Sequence, residues 1–159
     1  MTRLSAVGPE AADTLAAVHW QAFTPGWSAA ELTELLDSPG VFALLAQAEE
    51  PCGMILCRAV AGEAEILTLA VAPPARRQGL ARDLVAAAAG LARQAKAAEM
   101  FLEVATDNIA ALRLYEQAGF QRAGLRRGYY DRGDGVRTDA VVMRLDLNTA
   151  GPAAYPKAD

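Results

Sequence analysis

Cysteine and histidine are both scarce in this 159-residue chain, which contains two cysteines and one histidine. An odd number of positions separates Cys52 from Cys57, so on a single strand their side chains would point to opposite faces. We therefore expect two buried apolar cysteines, with neither a disulfide nor a metal site. His19 lies beside Trp20 in a predicted helix with no acidic partner evident in the sequence, and we interpret it as structural.

Long apolar runs are also lacking. Alanine is the most frequent of the residues that make up the 53% hydrophobic share, and no uninterrupted apolar stretch approaches the roughly 20 residues that a membrane-spanning helix needs. Residues 1–5 are typical of a first strand, not of a signal peptide. We therefore expect a cytoplasmic protein without a membrane partner, with one domain over residues 1–147 and a polar tail over residues 148–159.

Positive charge is missing from most of the first half. Between Arg3 and Arg58 the sequence has no lysine or arginine, and residues 1–70 carry a net charge of −7 against +3 for residues 71–159. An acidic surface of this kind attracts cationic ligands, although a solvated acidic face without a partner is the alternative. We expect no direct contact with nucleic acid.

Hydrophobic periodicity and turn residues predict the element order β α α β β β α β α β β. Ser28 and Glu31 form a capping box at the start of the second helix. The order indicates an α/β (α+β) fold, with a mixed, mostly antiparallel sheet, helices on both faces and one strand-helix-strand crossover. The predicted strands cover residues 4–7, 41–47, 53–60, 65–71, 100–105, 121–130 and 137–147.

A strand-to-helix turn over residues 67–82 contains the strongest chemical signal. Gly79 and Ala81 allow a ligand to approach the main chain where a helix begins, and unpaired N–H groups there favour an anion such as pyrophosphate. Arg76, Arg77 and Arg82 would add cationic partners. A plain helix start with solvated arginines is the alternative, and the turn lacks the signatures of P-loop and dinucleotide sites.

The segment 76–81, Arg-Arg-Gln-Gly-Leu-Ala, resembles the Q/R-x-x-G-x-G/A acetyl-CoA motif of the GNAT superfamily of N-acetyltransferases. The resemblance extends from the first strand to about Leu147. Residues 101–104, 108–120, 127–130 and 139–143 look closest to the ribosomal-protein alanine N-acetyltransferases. Ala81 replaces a more common glycine, and residues 131–137 are not diagnostic.

This resemblance implies acetyl-CoA as the acetyl donor. Main-chain groups of β-strand residues would hold the pantetheine arm and the acetyl carbonyl, and a bulge in that strand would aim one N–H at the thioester oxygen. Amides of the following turn would hold the pyrophosphate. The implied cofactor-binding residues are Leu69, Ala70, Val71, Arg77, Gln78, Gly79, Leu80, Ala81, Arg82 and Asn108.

Acyl transfer to an amine needs a base for the amine and an acid for the departing thiolate. Glu103 lies in an otherwise apolar strand, where a carboxylate is costly unless it is paired or used, and the family resemblance favours a general base over a surface glutamate. Tyr115 would be the general acid or an aromatic residue that packs its helix. Asn108 would either bond the cofactor or simply cap that helix, and we keep it as a cofactor-binding residue.

The resemblance predicts acetyl transfer to the α-amino group of a protein N-terminus, the alanine of a small-subunit ribosomal protein. Such proteins are basic, which suits the acidic first half. The alternatives are an acetyltransferase for a small amine or a protein lysine, and a non-catalytic CoA-binding module. Trp27 either shapes the acceptor pocket or lies in the core, and Tyr129 and Tyr130 either clamp the acceptor or pack the last hairpin. The oligomeric state is left open.

Overall fold

The computed structural model describes residues 1–131 and 137–148, apart from the side chains of residues 129–131. In this described part of the chain, seven strands and four α-helices follow one another in the predicted order, and two short 3-10 helices lie among them. The strands are β1 Arg3–Val7, β2 Val41–Gln47, β3 Pro51–Val60, β4 Glu63–Val71, β5 Glu99–Ala105, β6 Gln121–Asp131 and β7 Arg137–Asp146. The α-helices are α1 Ala12–Ala22, α2 Ala29–Leu36, α3 Leu80–Gln94 and α4 Ile109–Gln117.

All seven strands form one sheet in the order β1-β2-β3-β4-β5-β7-β6. Among the described strands only the β4–β5 pair is parallel, because α3 provides the crossover that a parallel connection requires. The remaining neighbours are antiparallel. The predicted fold class and crossover are therefore confirmed.

Local capping determines where two of the helices begin. The Glu31 N–H donates to Ser28 Oγ at 3.1 Å at the start of α2, as the capping box predicts. The Ala111 N–H donates to Asn108 Oδ1 at 3.2 Å at the start of α4. Each side chain satisfies one of the N–H groups that a helix leaves unpaired at its first turn.

The sheet has an apolar cluster on each face. Helices α3 and α4 cover one face, through residues such as Leu84 and Leu112, and form the larger cluster. Helices α1 and α2 cover the opposite face of β2–β4, through Leu15 and Leu32. Consequently the second face of β5 and its neighbours lies beyond the smaller cluster, and polar side chains occupy it.

The cysteines correct one of our expectations. Both are free, and Cys57 is buried as expected, but Cys52 is only half-buried. Cys52 also packs against the same cluster that contains Cys57, so the prediction of opposite faces was wrong. The reason is a bulge in β3, since Ala46 pairs with Gly53 and Gln47 with Pro51, leaving Cys52 as the extra residue. An extra residue of this kind changes the face on which its neighbours lie.

Two other expectations fall outside the described residues. They concern the side chains of Tyr129 and Tyr130 and nearly all of the proposed polar tail, from residue 149 onward. Within the described part of the chain, no helix is long and apolar enough to cross a membrane.

Candidate active site between strands four and five

Strands β4 and β5 are paired over a short length and then part. Among their described residues, the register pairs are Glu63 with Glu99, Ala64 with Met100, and Glu65 with Phe101. Beyond this point a cavity of about 440 Å³ opens between the strands. The parted strands expose main-chain groups to a ligand, because those groups have lost their partner strand.

The predicted β4 residues line this cavity. Leu69, Ala70 and Val71 all border it, while the apolar clusters take up or contact their side chains. Strand β4 also contains the expected bulge, since Leu56 pairs with Thr68 and Cys57 with Ile66, leaving Leu67 as the extra residue.

The turn that follows β4 adopts an uncommon backbone conformation. Arg77 has φ +63° and Gly79 has φ +78°, both in the left-handed region. For Arg77 this conformation costs roughly 1–2 kcal/mol, and such costs are concentrated at functional sites. Loops with left-handed residues are typical of anion-binding concavities.

An adjoining cavity of about 350 Å³ lies over this turn and the start of α3. A Cβ atom built at Gly79 would meet no atom within 4 Å, so the space in front of this residue is open. Gly79 is also the N-cap of α3, whose first turn carries a partial positive charge. The predicted residues that line this cavity are Val71, Arg77, Gly79, Leu80, Ala81 and Arg82. The turn therefore fits a pyrophosphate.

Two side chains of the turn bind the backbone. Arg76 Nε donates to the Val71 carbonyl at 3.0 Å, which ties the turn to the end of β4. Gln78 Nε2 donates to the Pro74 carbonyl at 3.4 Å, and Gln78 is not among the residues that line the two cavities. Gln78 thus differs from the other residues of the predicted phosphate-binding segment, because they line a cavity and it does not.

Glu103 and Tyr115 meet at the same cavity although they belong to different elements. Both line the space between β4 and β5, Glu103 from β5 and Tyr115 from α4. Tyr115 is 7% exposed, and its ring packs edge-on against Phe120 with centroids 5.6 Å apart. Asn108 borders the cavity as well as capping α4. A carboxylate and a phenol thus border the same cavity.

A third cavity, of about 510 Å³, lies on the polar face of the sheet. Leu102 and Glu103 line both this cavity and the one between β4 and β5. Glu63, Glu65 and Phe101 contribute a charged and aromatic wall. Glu103 is therefore positioned where two separate ligands could meet.

Sequence reasoning did not find Arg126, which lines the cavity on the polar face. Its Nη1 donates to Glu103 Oε1 at 2.6 Å. These residues are 23 positions apart, and they come together because β5 and β6 both pair with β7. No local pattern in the sequence indicates that contact.

His19 connects the loop after α1 to β4. The Trp27 N–H donates to His19 Nδ1 at 3.0 Å, which leaves Nε2 as the N–H that donates to Thr68 Oγ1, also at 3.0 Å. The imidazole stacks on Phe23 and Trp27 at centroid distances of 4.5 and 5.1 Å. Because Thr68 and Phe23 line the cavity between β4 and β5, this contact shapes its wall.

His19 predicts a pH dependence of stability. Its side chain is 2% exposed, and burial lowers the pKa of the imidazole below its ordinary value of about 6.5. The unfolded chain therefore takes up a proton at a higher pH than the folded protein. The stability gained from the neutral imidazole is complete above pH 6.5 and is lost as the pH falls below it, by at most about 1.4 kcal/mol per pH unit.

Urea unfolding of wild type and His19→Gln between pH 7.5 and 5.5 checks this expectation. Glutamine can accept and donate in place of the two ring nitrogens, but it does not titrate. His19 is the one histidine of the chain, so the decline in unfolding free energy over this range should be much smaller in the variant. An equal decline in both proteins would contradict the assignment.

Comparisons with known proteins agree with this geometry. The sequence model of the Acetyltransferase (GNAT) family matches residues 12–120. The "[Ribosomal protein bS18]-alanine N-acetyltransferase" of Escherichia coli strain K12 is 36% identical over 104 residues, 65% of this chain and 70% of that protein. The Mycobacterium tuberculosis protein named "N-alpha-acetyltransferase RimI" is 45% identical over 84 residues, 53% of this chain and 49% of that protein.

Solved structures give the same result. The crystal structure of the ribosomal-protein-S18-alanine N-acetyltransferase from Escherichia coli superimposes with a TM-score of 0.84 and 29% identity, covering 98% of this chain and 99% of that one. Arabidopsis thaliana NAA60 in complex with acetyl-CoA has a TM-score of 0.81 and 18% identity, covering 93% and 99% of the two chains. The second likeness concerns the fold alone.

Proposed function

Because this chain belongs to the acetyltransferase (GNAT) family, we propose that it transfers the acetyl group of acetyl-CoA to the α-amino group of a basic protein N-terminus. The acceptor we propose is the N-terminal alanine of a ribosomal protein, in the cytoplasm. The observation that carries the proposal is the position of Glu103, which lines both the cavity between β4 and β5 and the cavity on the polar face. The E. coli relative is named for this reaction on bS18.

The donor fits the cavity between β4 and β5 and the turn beyond it. Acetyl-CoA supplies a thioester, whose carbonyl carbon the acceptor amine attacks. Main-chain groups of Leu69–Val71 bind its pantetheine arm, and the open space at Gly79 with the N-terminus of α3 takes the pyrophosphate. A β4 main-chain N–H directed at the thioester oxygen stabilises the charge that develops there.

The acceptor fits the cavity on the polar face. Glu63 and Glu65 line it from β4, and their carboxylates complement basic residues that follow the acceptor's first residue. Phe101 offers an aromatic surface to the same segment. An acceptor that enters here brings its terminal amine to Glu103, on the opposite side from the donor.

Glu103 and Tyr115 have separate proton roles in this proposal. The Glu103 carboxylate removes a proton from the amine, and the Tyr115 hydroxyl gives a proton to the departing thiolate. The pKa of an α-amine is near 7.8 and that of a lysine is near 10.4, a difference of about 2.6 units. Deprotonating the α-amine therefore costs roughly 3.5 kcal/mol less than deprotonating the lysine. A single carboxylate base therefore suits an N-terminus better than a lysine.

The test is the pH dependence of Glu103→Gln. Glutamine preserves the size of the side chain but cannot accept the proton, so kcat/KM on a basic peptide with N-terminal alanine should fall steeply near neutral pH. The deficit should shrink above about pH 9, where the free amine dominates without help. Rates measured from pH 6.5 to 9.5 check this, and a pH-independent deficit would mean that Glu103 only positions the substrate.

A matched peptide tests the acceptor. The same basic sequence with a blocked N-terminus and internal lysines should be a far poorer substrate for the wild-type protein. A good rate on the blocked peptide would favour lysine acetylation and would contradict the N-terminal assignment.

A further inference from the structure

The guanidinium of Arg126 contacts Glu103, the proposed base, where the cavity between β4 and β5 meets the cavity on the polar face. Arg126 Nη1 lies 2.6 Å from Glu103 Oε1, and the Arg126 and Glu103 side chains are 53% and 26% exposed. We propose that Arg126 is a positioning residue, which fixes the Glu103 carboxylate where it can take a proton from the acceptor amine. This inference rests on the proposed function, because that proposal makes Glu103 the base.

A bulge in β6 is the reason why Arg126 can reach Glu103. Arg122 pairs with Met143 and Gly124 pairs with Val142, so Ala123 is an extra residue in β6. Side chains alternate between the faces of a strand, and one inserted residue moves every later side chain to the other face.

The register beyond the bulge places Arg126 on the polar face. Arg126 pairs with Ala140, while Glu103 pairs with Val142. Ala140 and Val142 are two residues apart on β7 and share one face, so Arg126 and Glu103 share it too. Without the extra residue, Arg126 would point toward the face that α4 covers.

Other charged groups also lie near this contact. The remaining charged residues that line the cavity are Arg58 from β3 and Glu63 and Glu65 from β4. The two β4 carboxylates repel that of Glu103. On β7, Arg144 contacts Glu99 at 2.8 Å and Asp146 at 4.0 Å. The Arg126 contact therefore opposes movement of a flexible carboxylate among like charges.

Geometry makes such restraint valuable for a base. Proton removal requires the carboxylate oxygen within about 2.6–3.2 Å of the donor. A glutamate has several rotatable bonds, and a displacement of about 1 Å at a reaction site can lower the rate about 10²-fold. A hydrogen bond to one carboxylate oxygen limits those rotations.

The first test replaces Arg126 with methionine. We expect kcat on the N-terminal alanine peptide to fall about 10²-fold at pH 7, with the acetyl-CoA Kd and Tm unchanged. The loss should diminish above about pH 9, as for Glu103→Gln, because a free amine does not need the base. Arg126→Lys should restore part of the rate. A loss of equal size at every pH would overturn the proposal.

Arg122→Met is the matched control. Arg122 lies on the same strand with a 59% exposed side chain, and it contacts Glu116 at 3.4 Å. It precedes the bulge and points to the opposite face, so its replacement should leave kcat and the pH profile unchanged. An equal loss in this variant would show a general effect of charge on β6 and would overturn the proposal.

The double variant Glu103→Gln/Arg126→Met separates positioning from an independent role. If Arg126 acts through Glu103, the double variant should be no slower than Glu103→Gln alone. Losses that multiply would overturn the inference and leave the proposed function standing. Full activity of Glu103→Gln at pH 7 would instead remove the base from the proposed function, and the inference with it.

Discussion

Tyr115→Phe is expected to lower kcat by about 10² to 10⁴, or roughly 2.7–5.4 kcal/mol of activation free energy. The Tyr115 side chain borders the cavity between β4 and β5. In the proposed reaction its hydroxyl gives a proton to the departing thiolate, and phenylalanine cannot do so. Phenylalanine preserves the edge-on packing against Phe120. Steady-state rates, acetyl-CoA affinity by calorimetry and Tm are measured together, and affinity and Tm should change little.

Phe120→Leu is the control for packing. It changes the ring against which Tyr115 lies but leaves the hydroxyl in place. We expect a lower Tm, since Phe120 is 2% exposed, with kcat within a few-fold of wild type. If Tyr115→Phe retains kcat within the same range, Tyr115 serves packing alone and another group protonates the thiolate.

Gly79→Glu is expected to abolish measurable binding of acetyl-CoA. The new side chain would extend into the open space in front of the turn, where it would place bulk and negative charge against the pyrophosphate. The variant should still fold, because an acidic residue at the N-terminus of α3 interacts favourably with the helix dipole. Calorimetric titration with acetyl-CoA gives the result directly.

Gly62→Glu is a closely matched control for this variant. Gly62 has φ +83° and Gly79 has φ +78°, and a Cβ at either position would meet nothing within 4 Å. Both substitutions therefore carry a similar left-handed backbone cost and add the same charge. Gly62 lies between β3 and β4, away from the turn, so its variant should bind normally. Equal affinity in the two variants would contradict the assigned phosphate site.

Local sequence signals predicted much of the fold and part of the candidate site. Ser28 and Asn108 cap helices because their side chains reach N–H groups only three residues away. Gly79 marks the strand-to-helix turn because its left-handed backbone favours glycine. These features depend on neighbours in the chain, so the order of residues is sufficient to find them.

Register between strands was not predictable in the same way. The bulge at Ala123 determines the face on which Arg126 lies. A glycine within a strand often marks a bulge, and Gly124 follows Ala123, but a glycine does not by itself give the register that results. The contact between His19 and Thr68 spans 49 positions and depends on how α1 packs on the sheet. The prediction of the face to which Cys52 points was wrong for the same reason, because a bulge altered the alternation of side chains along the strand.

The parting of β4 and β5 also affects how the molecule resists aggregation. Unpaired strand edges readily accept strands from other chains, and this sheet has two such edges near its centre. They are recessed between helical residues, including Ala81 of α3 and Tyr115 of α4. The opening must be wide enough for a substrate and narrow enough to exclude a foreign strand. Substitutions that narrow the opening would therefore hinder substrate binding, and substitutions that widen it would favour aggregation.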